Sequence, residues 1–121
     1  MEILIKTIPH KKQRYETHGD WYVDNKGRWI IRVSEFSNWK HAFAIIMHEL
    51  SEMAECIDKG MPEQDITDFD IQLVKSGQKG EPGDSKRAPY YKQHQHATII
   101  ERQIIQNLGE DWNDYLQTNP K

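Results

Sequence analysis

A chain of 121 residues holds one domain with a single modest core. Hydrophobic residues make up 36% of it and the mean hydropathy is -0.88, yet four Trp, five Tyr and clear helical periodicity separate it from disordered sequences. A net charge of -3 and a pI near 6.0 remove any global pull toward nucleic acid or an anionic membrane.

Residues 1–36 read as β-rich. Ile3, Leu4, Ile5 and Ile8 form a short extended run ended by Pro9. The basic cluster His10-Lys-Lys-Gln-Arg14 that follows reads as a solvated loop. Trp21-Tyr-Val and Trp29-Ile-Ile-Arg-Val flank Asp24-Asn-Lys-Gly27, the pattern of a hairpin with a glycine-bearing turn. The first residues carry neither a secretory-signal pattern nor the roughly 18 apolar residues of a membrane span, so a cytoplasmic protein is expected. The single Cys56 excludes an intramolecular disulfide, fits a reducing compartment, and lies beside an apolar stripe as a packed thiol does.

Residues 38–117 read as helical. Ser37 or Asn38 caps a long helix running to about Lys59, where Gly60 stops it and Pro62 opens a second helix reaching about Lys75. Its stripe is Ile66, Phe69 and Leu73, with Asp70 beside them. Glu81-Pro82-Gly83-Asp84 has Pro and Gly at the central positions of a type II turn, with Glu81 and Asp84 satisfying local amides. A third helix runs from Pro89 to about Leu108 and stops at Gly109; a short last segment, Glu110 to Leu116, lays Trp112 and Leu116 on the core. The expected architecture is α+β in one domain, 1–121: a small antiparallel sheet packed against two long helices and a shorter one.

The chemistry concentrates on the first helix. At about 100° per residue, Trp39, Ala42, Phe43, Ile46, Leu50, Met53 and Ile57 share one face, which is assigned to the core. His41, His48, Glu52 and Glu55 gather opposite, with Ile45 among them and Glu49 on the edge. His48 and Glu52 are one turn apart, which suits two ligands of one ion; a plainer reading is a solvated helix back with a local His–Glu hydrogen bond. The third helix repeats the pattern. Ala97, Ile100, Ile104 and Leu108 form its apolar stripe, and His94, Thr98 and Glu101 run beside it. Antiparallel packing of these helices would bring His94 or Glu101 to His48 and Glu52.

A catalytic zinc takes three protein ligands and keeps a position open for water, and His48, Glu52 and His94 supply that set. Glu49 is then the general base, accepting a proton from a water whose pKa zinc lowers to about 7. A rival is a dinuclear carboxylate site for iron, manganese or magnesium built on Glu49, Glu52, Glu55, Glu101, Asp70 and two histidines. It lacks the usual repeated Glu-x-x-His spacing. A competing class is a non-enzymatic phage or host interaction protein in which the same side chains form a structural polar network between helices. Around the site, Asp70 reads as an ion-pair partner for Arg102 or an acceptor from His48 or His94, His41 as exposed or as an extra ligand, and His96 as exposed. Tyr90 and Tyr91 pack the start of the third helix.

Two resemblances bear on function. His48-Glu49-Leu50-Ser51-Glu52 resembles the helix of zincin metallopeptidases, with Glu52 where a second histidine normally stands. Glu49-x-x-Glu52 is also similar to the helical nucleotide pyrophosphohydrolases, whose chemistry leaves His48 and His94 without a task. Over nearly the full length, Gly19-Asp20-Trp21, His48-Glu-Leu-x-Glu52, Glu81-Pro-Gly-Asp84, Ala88-Pro-Tyr90, His94-x-x-Ala97-Thr98-x-x-Glu101-Arg102 and Leu108-Gly-x-Asp-Trp112 resemble a family of small uncharacterised proteins encoded in bacteria and their phages. That resemblance implies no particular activity.

Overall fold

In the computed structural model, which describes residues 1–121, three strands form one sheet: β1 (Ile3–Ile8), β2 (Gly19–Val23) and β3 (Trp29–Ser34), in the order β1-β3-β2. The β2–β3 hairpin is antiparallel, with Trp21 opposite Ile31, and turns at Asp24–Gly27 as expected. The sheet is nevertheless mixed, because β1 pairs parallel to β3, Ile3 with Trp29 through Ile8 with Ser34. The cause is the segment between β1 and β2. It arches over the end of β3 and delivers the chain to the far edge of the sheet, so the strand beside β1 is β3.

That arch is built from the basic cluster, which is therefore more than a solvated loop. Arg14 Nε and Nη2 donate to Asp20 at 2.7 and 3.0 Å, neutralising a buried carboxylate. Arg32 Nη2 donates to the Lys12 carbonyl at 2.6 Å, and Gln13 Nε2 to Ser34 Oγ at 3.1 Å. Lys11 and Lys12 point to solvent.

Four helices follow: α1 (Trp39–Asp58), α2 (Glu63–Lys75), α3 (Tyr91–Asn107) and α4 (Trp112–Leu116). Asn38 caps α1 by accepting from the Lys40 amide at 3.0 Å. Gly60 and Gly109, with φ of 70° and 79°, adopt the left-handed conformation that ends α1 and α3. None of these helices is long and apolar enough to cross a membrane.

The buried face of α1 is the expected one only in part. Ala42 and Met53 are buried and Ile46 and Leu50 pack half-buried against the core, but the covered arc is rotated toward the polar stripe. Trp39 and Phe43 are 64% and 38% exposed and Ile57 is partly open, whereas Ala42, Ile45, His48, Glu49, Glu52, Met53 and Cys56 are buried. The helix is covered on two sides, by β2 and β3 on one and by α3 on the other. The covered arc includes the polar stripe, and the apolar edge is left at the open flank. α3 shows the same displacement: Gln93, His94, Ala97 and Ile105 are buried and Ile100 lies partly open. In α4 it is Tyr115, rather than Leu116, that enters the core.

Candidate metal centre

α1 and α3 run antiparallel, with the Lys40 ammonium on the Leu108 carbonyl near one end and Glu52 beside His94 toward the other. This register brings His48, Glu52 and His94 together, all three buried. His48 Nε2 lies 3.3 Å from Glu52 Oε2 and 3.2 Å from His94 Nδ1, and His94 Nδ1 lies 2.9 Å from Glu52 Oε2. A tetrahedral ion with ligand bonds of about 2.0–2.1 Å separates its donor atoms by about 3.3–3.4 Å. The three atoms form a triangle slightly tighter than that.

What fixes their roles is the far side of each side chain. His48 Nδ1 is 2.7 Å from Glu101 Oε1, and Glu101 accepts in turn from the Tyr115 hydroxyl. His94 Nε2 is 3.1 Å from Asp84 Oδ1. Trp21 Nε1 donates to Glu52 Oε1 at 3.0 Å. A carboxylate accepts only, and each ring lies between two of them, Glu52 on the inner side and Glu101 or Asp84 on the outer. A neutral imidazole therefore donates to one and turns a lone pair to the other. With the proton on the outer nitrogen, two lone pairs and one carboxylate oxygen face one point, an arrangement that a metal ion completes; protons on the inner nitrogens complete it as a hydrogen-bonded network instead.

Electrostatics express the same demand. Burial of the His48 ring opposes its charge, but hydrogen bonds to Glu101 and Glu52 outweigh it and hold its pKa well above the histidine range. Burial likewise opposes charge on His94, and Asp84 and Glu52 overcome it, raising His94 to about 9. Burial alone would raise Glu52, yet the two histidines pull it down to about 2.

Glu49 stands apart. It is 8% exposed, no hydrogen bond to protein ties its carboxylate, and it lines the same cavity of about 30 Å³ as the three donors. Burial, then repulsion by Glu52, pushes its pKa well above the carboxylate range. That volume takes an ion with a water or two.

Two glycines shape this space. A Cβ on Gly19 would lie 2.6 Å from Glu49 Oε1, and a Cβ on Gly83 would lie 2.4 Å from His94 Cγ and Nδ1. Residues Pro82–Asp84 form a 3₁₀ turn without left-handed φ, not the expected type II turn. Gly83 is needed there for close approach and not for backbone freedom. Asp84, assigned from sequence to local amides, instead holds His94.

The remaining side chains fall elsewhere. Asp70 accepts from the Tyr15 hydroxyl at 2.8 Å and from the Tyr90 hydroxyl, while Arg102 stacks 5.7 Å over Trp112. Asp70 therefore pairs with none of its expected partners. His41 is neither exposed nor a ligand. It is mostly buried against Phe36 and Tyr115, with Nε2 3.4 Å from Glu110. Glu55 and His96 pair at 2.7 Å on the surface, outside the centre. Cys56 is fully buried, and burial with nearby carboxylates pushes its thiol up to about 12. Sequence reasoning missed Trp21, Gly19 and Gly83; the compact Gly19-Asp20-Trp21 and Glu81-Pro-Gly-Asp84 groupings were the only signals.

No protein-family model, curated protein or solved structure matches the chain. The donor atoms alone must carry the chemistry.

Proposed function

We propose that this protein binds one divalent transition metal, zinc first, through His48 Nε2, Glu52 Oε2 and His94 Nδ1, and uses it for hydrolysis with Glu49 as general base. The observation that carries this reading is the convergence of three donor atoms, each oriented by a hydrogen bond on its far side. Two imidazoles and a carboxylate suit zinc or iron(II) better than magnesium, which prefers all-oxygen sites. The unpaired Glu49 side chain lining the same cavity favours hydrolysis, since a zinc ion would lower the pKa of a bound water to about 7 and Glu49 would take the proton. A cation in the triad would oppose the repulsion by Glu52 that adds to burial in keeping Glu49 protonated.

A second reading is a structural polar network joining α1 and α3, favoured by the same three contacts lying within hydrogen-bonding range. Elemental analysis of protein purified without a metal-affinity tag separates the two. About one equivalent of zinc or another transition metal is expected, lost in His48→Ala and in His94→Ala. A wild-type protein that carries no metal and takes none up leaves the network reading standing. Glu49→Gln should keep the ion and lose turnover; unchanged turnover removes Glu49 as base.

A further inference from the structure

Beside the small polar cavity lies a second one of about 90 Å³, and His48, Glu49 and Glu81 line both. Its remaining walls are mixed: Phe36, Ile45, Tyr115 and Leu116 bring apolar surface to it beside His18, Glu101 and Thr118, whereas carboxylates dominate the first cavity. Glu49 stands at the junction, with room for an ion and water on one side and a partly apolar recess on the other.

No lysine or arginine lines either cavity, while Asp20, Glu49, Glu52, Glu63, Asp70 and Glu81 all line the first. Arg14, which bonds to Asp20 of this ring, is already paired with it. A phosphate ester or a substrate with a free carboxylate near the reacting bond would face this ring of carboxylates with only the bound ion and the two imidazoles as counter-charge. An uncharged or amine-bearing acyl compound would meet no such repulsion.

We infer that the apolar wall of this recess, Phe36, Ile45, Tyr115 and Leu116, is the acyl subsite of the centre, taking a short apolar group from a neutral or cationic amide or ester. The inference rests on the metal-dependent reading proposed above. At the ~10–15 Å³ that one water-sized sphere requires, the recess of about 90 Å³ accommodates about six to nine heavy atoms, enough for a short branched chain. A larger ligand would extend past Leu116, which is 58% exposed at the rim.

Simple hydroxamic acids test this without a known substrate, because they chelate a bound metal and carry a variable acyl chain. Metal-loaded protein, its content fixed by elemental analysis, is titrated calorimetrically with acetohydroxamate, isovalerohydroxamate and the monohydroxamate of succinic acid. Isovalerohydroxamate should bind about ten-fold more tightly than acetohydroxamate as its added carbons leave water, and the succinic compound more weakly than either. Leu116→Trp, a change at an exposed position, should erase the isovaleryl preference while the metal content stays at one equivalent. Equal binding of the acetyl and isovaleryl compounds, a preference that survives in Leu116→Trp, or tightest binding of the succinic compound would overturn the subsite and leave the metal centre standing. Failure to load metal would remove both.

Discussion

Gly83 and His94 are in contact with no room for a side chain between them: a Cβ at Gly83 would sit 2.4 Å from the ring atoms Cγ and Nδ1 and 2.9 Å from His94 Cβ. These atoms lie at the root of the ring, so they cannot swing aside as the tip of a flexible chain does. Gly83→Ala should therefore rotate or displace the imidazole. Expected is a loss of metal affinity of about ten-fold or more with helical circular dichroism retained. Wild-type affinity in this variant would show that His94 Nδ1 is not a ligand.

Glu101→Gln tests the orienting role of a carboxylate. A glutamine amide turned toward His48 Nδ1 favours the opposite tautomer, which places the proton on Nε2 and removes the lone pair from the centre. Metal affinity should fall about 10–100-fold, and Asp84→Asn should act the same way through His94. Competition with a chromogenic chelator measures both, and an unaltered constant in both variants would discard the tautomer argument.

Gly19→Ala addresses Glu49. The new methyl would meet Glu49 Oε1 at 2.6 Å, Ile45 Cγ2 at 2.7 Å and Glu49 Cγ at 2.8 Å, so strand and helix must part or the carboxylate must move. Overpacking of this kind costs about 1–3 kcal/mol, read as a lowered urea midpoint. Stability equal to wild type would mean that β2 and α1 yield more readily than their packing implies.

Asp70 should give the metal-free protein a pH dependence of known sign. Burial raises its carboxyl to about 7, against an ordinary value of 3.8, despite hydrogen bonds from Tyr90 and Tyr15 that lower it. Below the unfolded value both states are protonated and the group contributes nothing to the balance. Between the two values only the native state keeps the proton, so stability falls as pH rises through this window and levels off above about 7. At 1.36 kcal/mol per unit the upper bound is ~4 kcal/mol. Asp70→Asn should flatten this part of the profile, so that denaturation curves of variant and wild type in a chelator diverge between pH 4 and 8. Parallel profiles would place the Asp70 carboxylate in contact with water.

The local features of the molecule were legible in the residues alone. Asn38 as a cap, Gly60 and Gly109 as stops, and the hairpin around Asp24–Gly27 depend on backbone conformations that single residues or short runs dictate. The one-turn spacing of His48 and Glu52 belongs with them, because helical periodicity follows from hydrogen bonds four residues apart. An α+β arrangement with a small N-terminal sheet follows from the order of such segments.

Burial and partnership were decided by tertiary structure, since each is a sum over elements distant in the chain. The apolar edge of α1 at Trp39 and Phe43 was the natural core face by composition, but the sheet and α3 together cover the arc holding His48, Glu49 and Glu52. That arc can be buried because Trp21 of β2 and Glu101 of α3 bond to the outer atoms of Glu52 and His48, while Asp84 of the 3₁₀ turn holds His94 of α3 against them. No pattern within α1 encodes those partners. The parallel pairing of β1 with β3 has the same origin, as it depends on how the arch from Pro9 to His18 seats against Ser34 and Asp20.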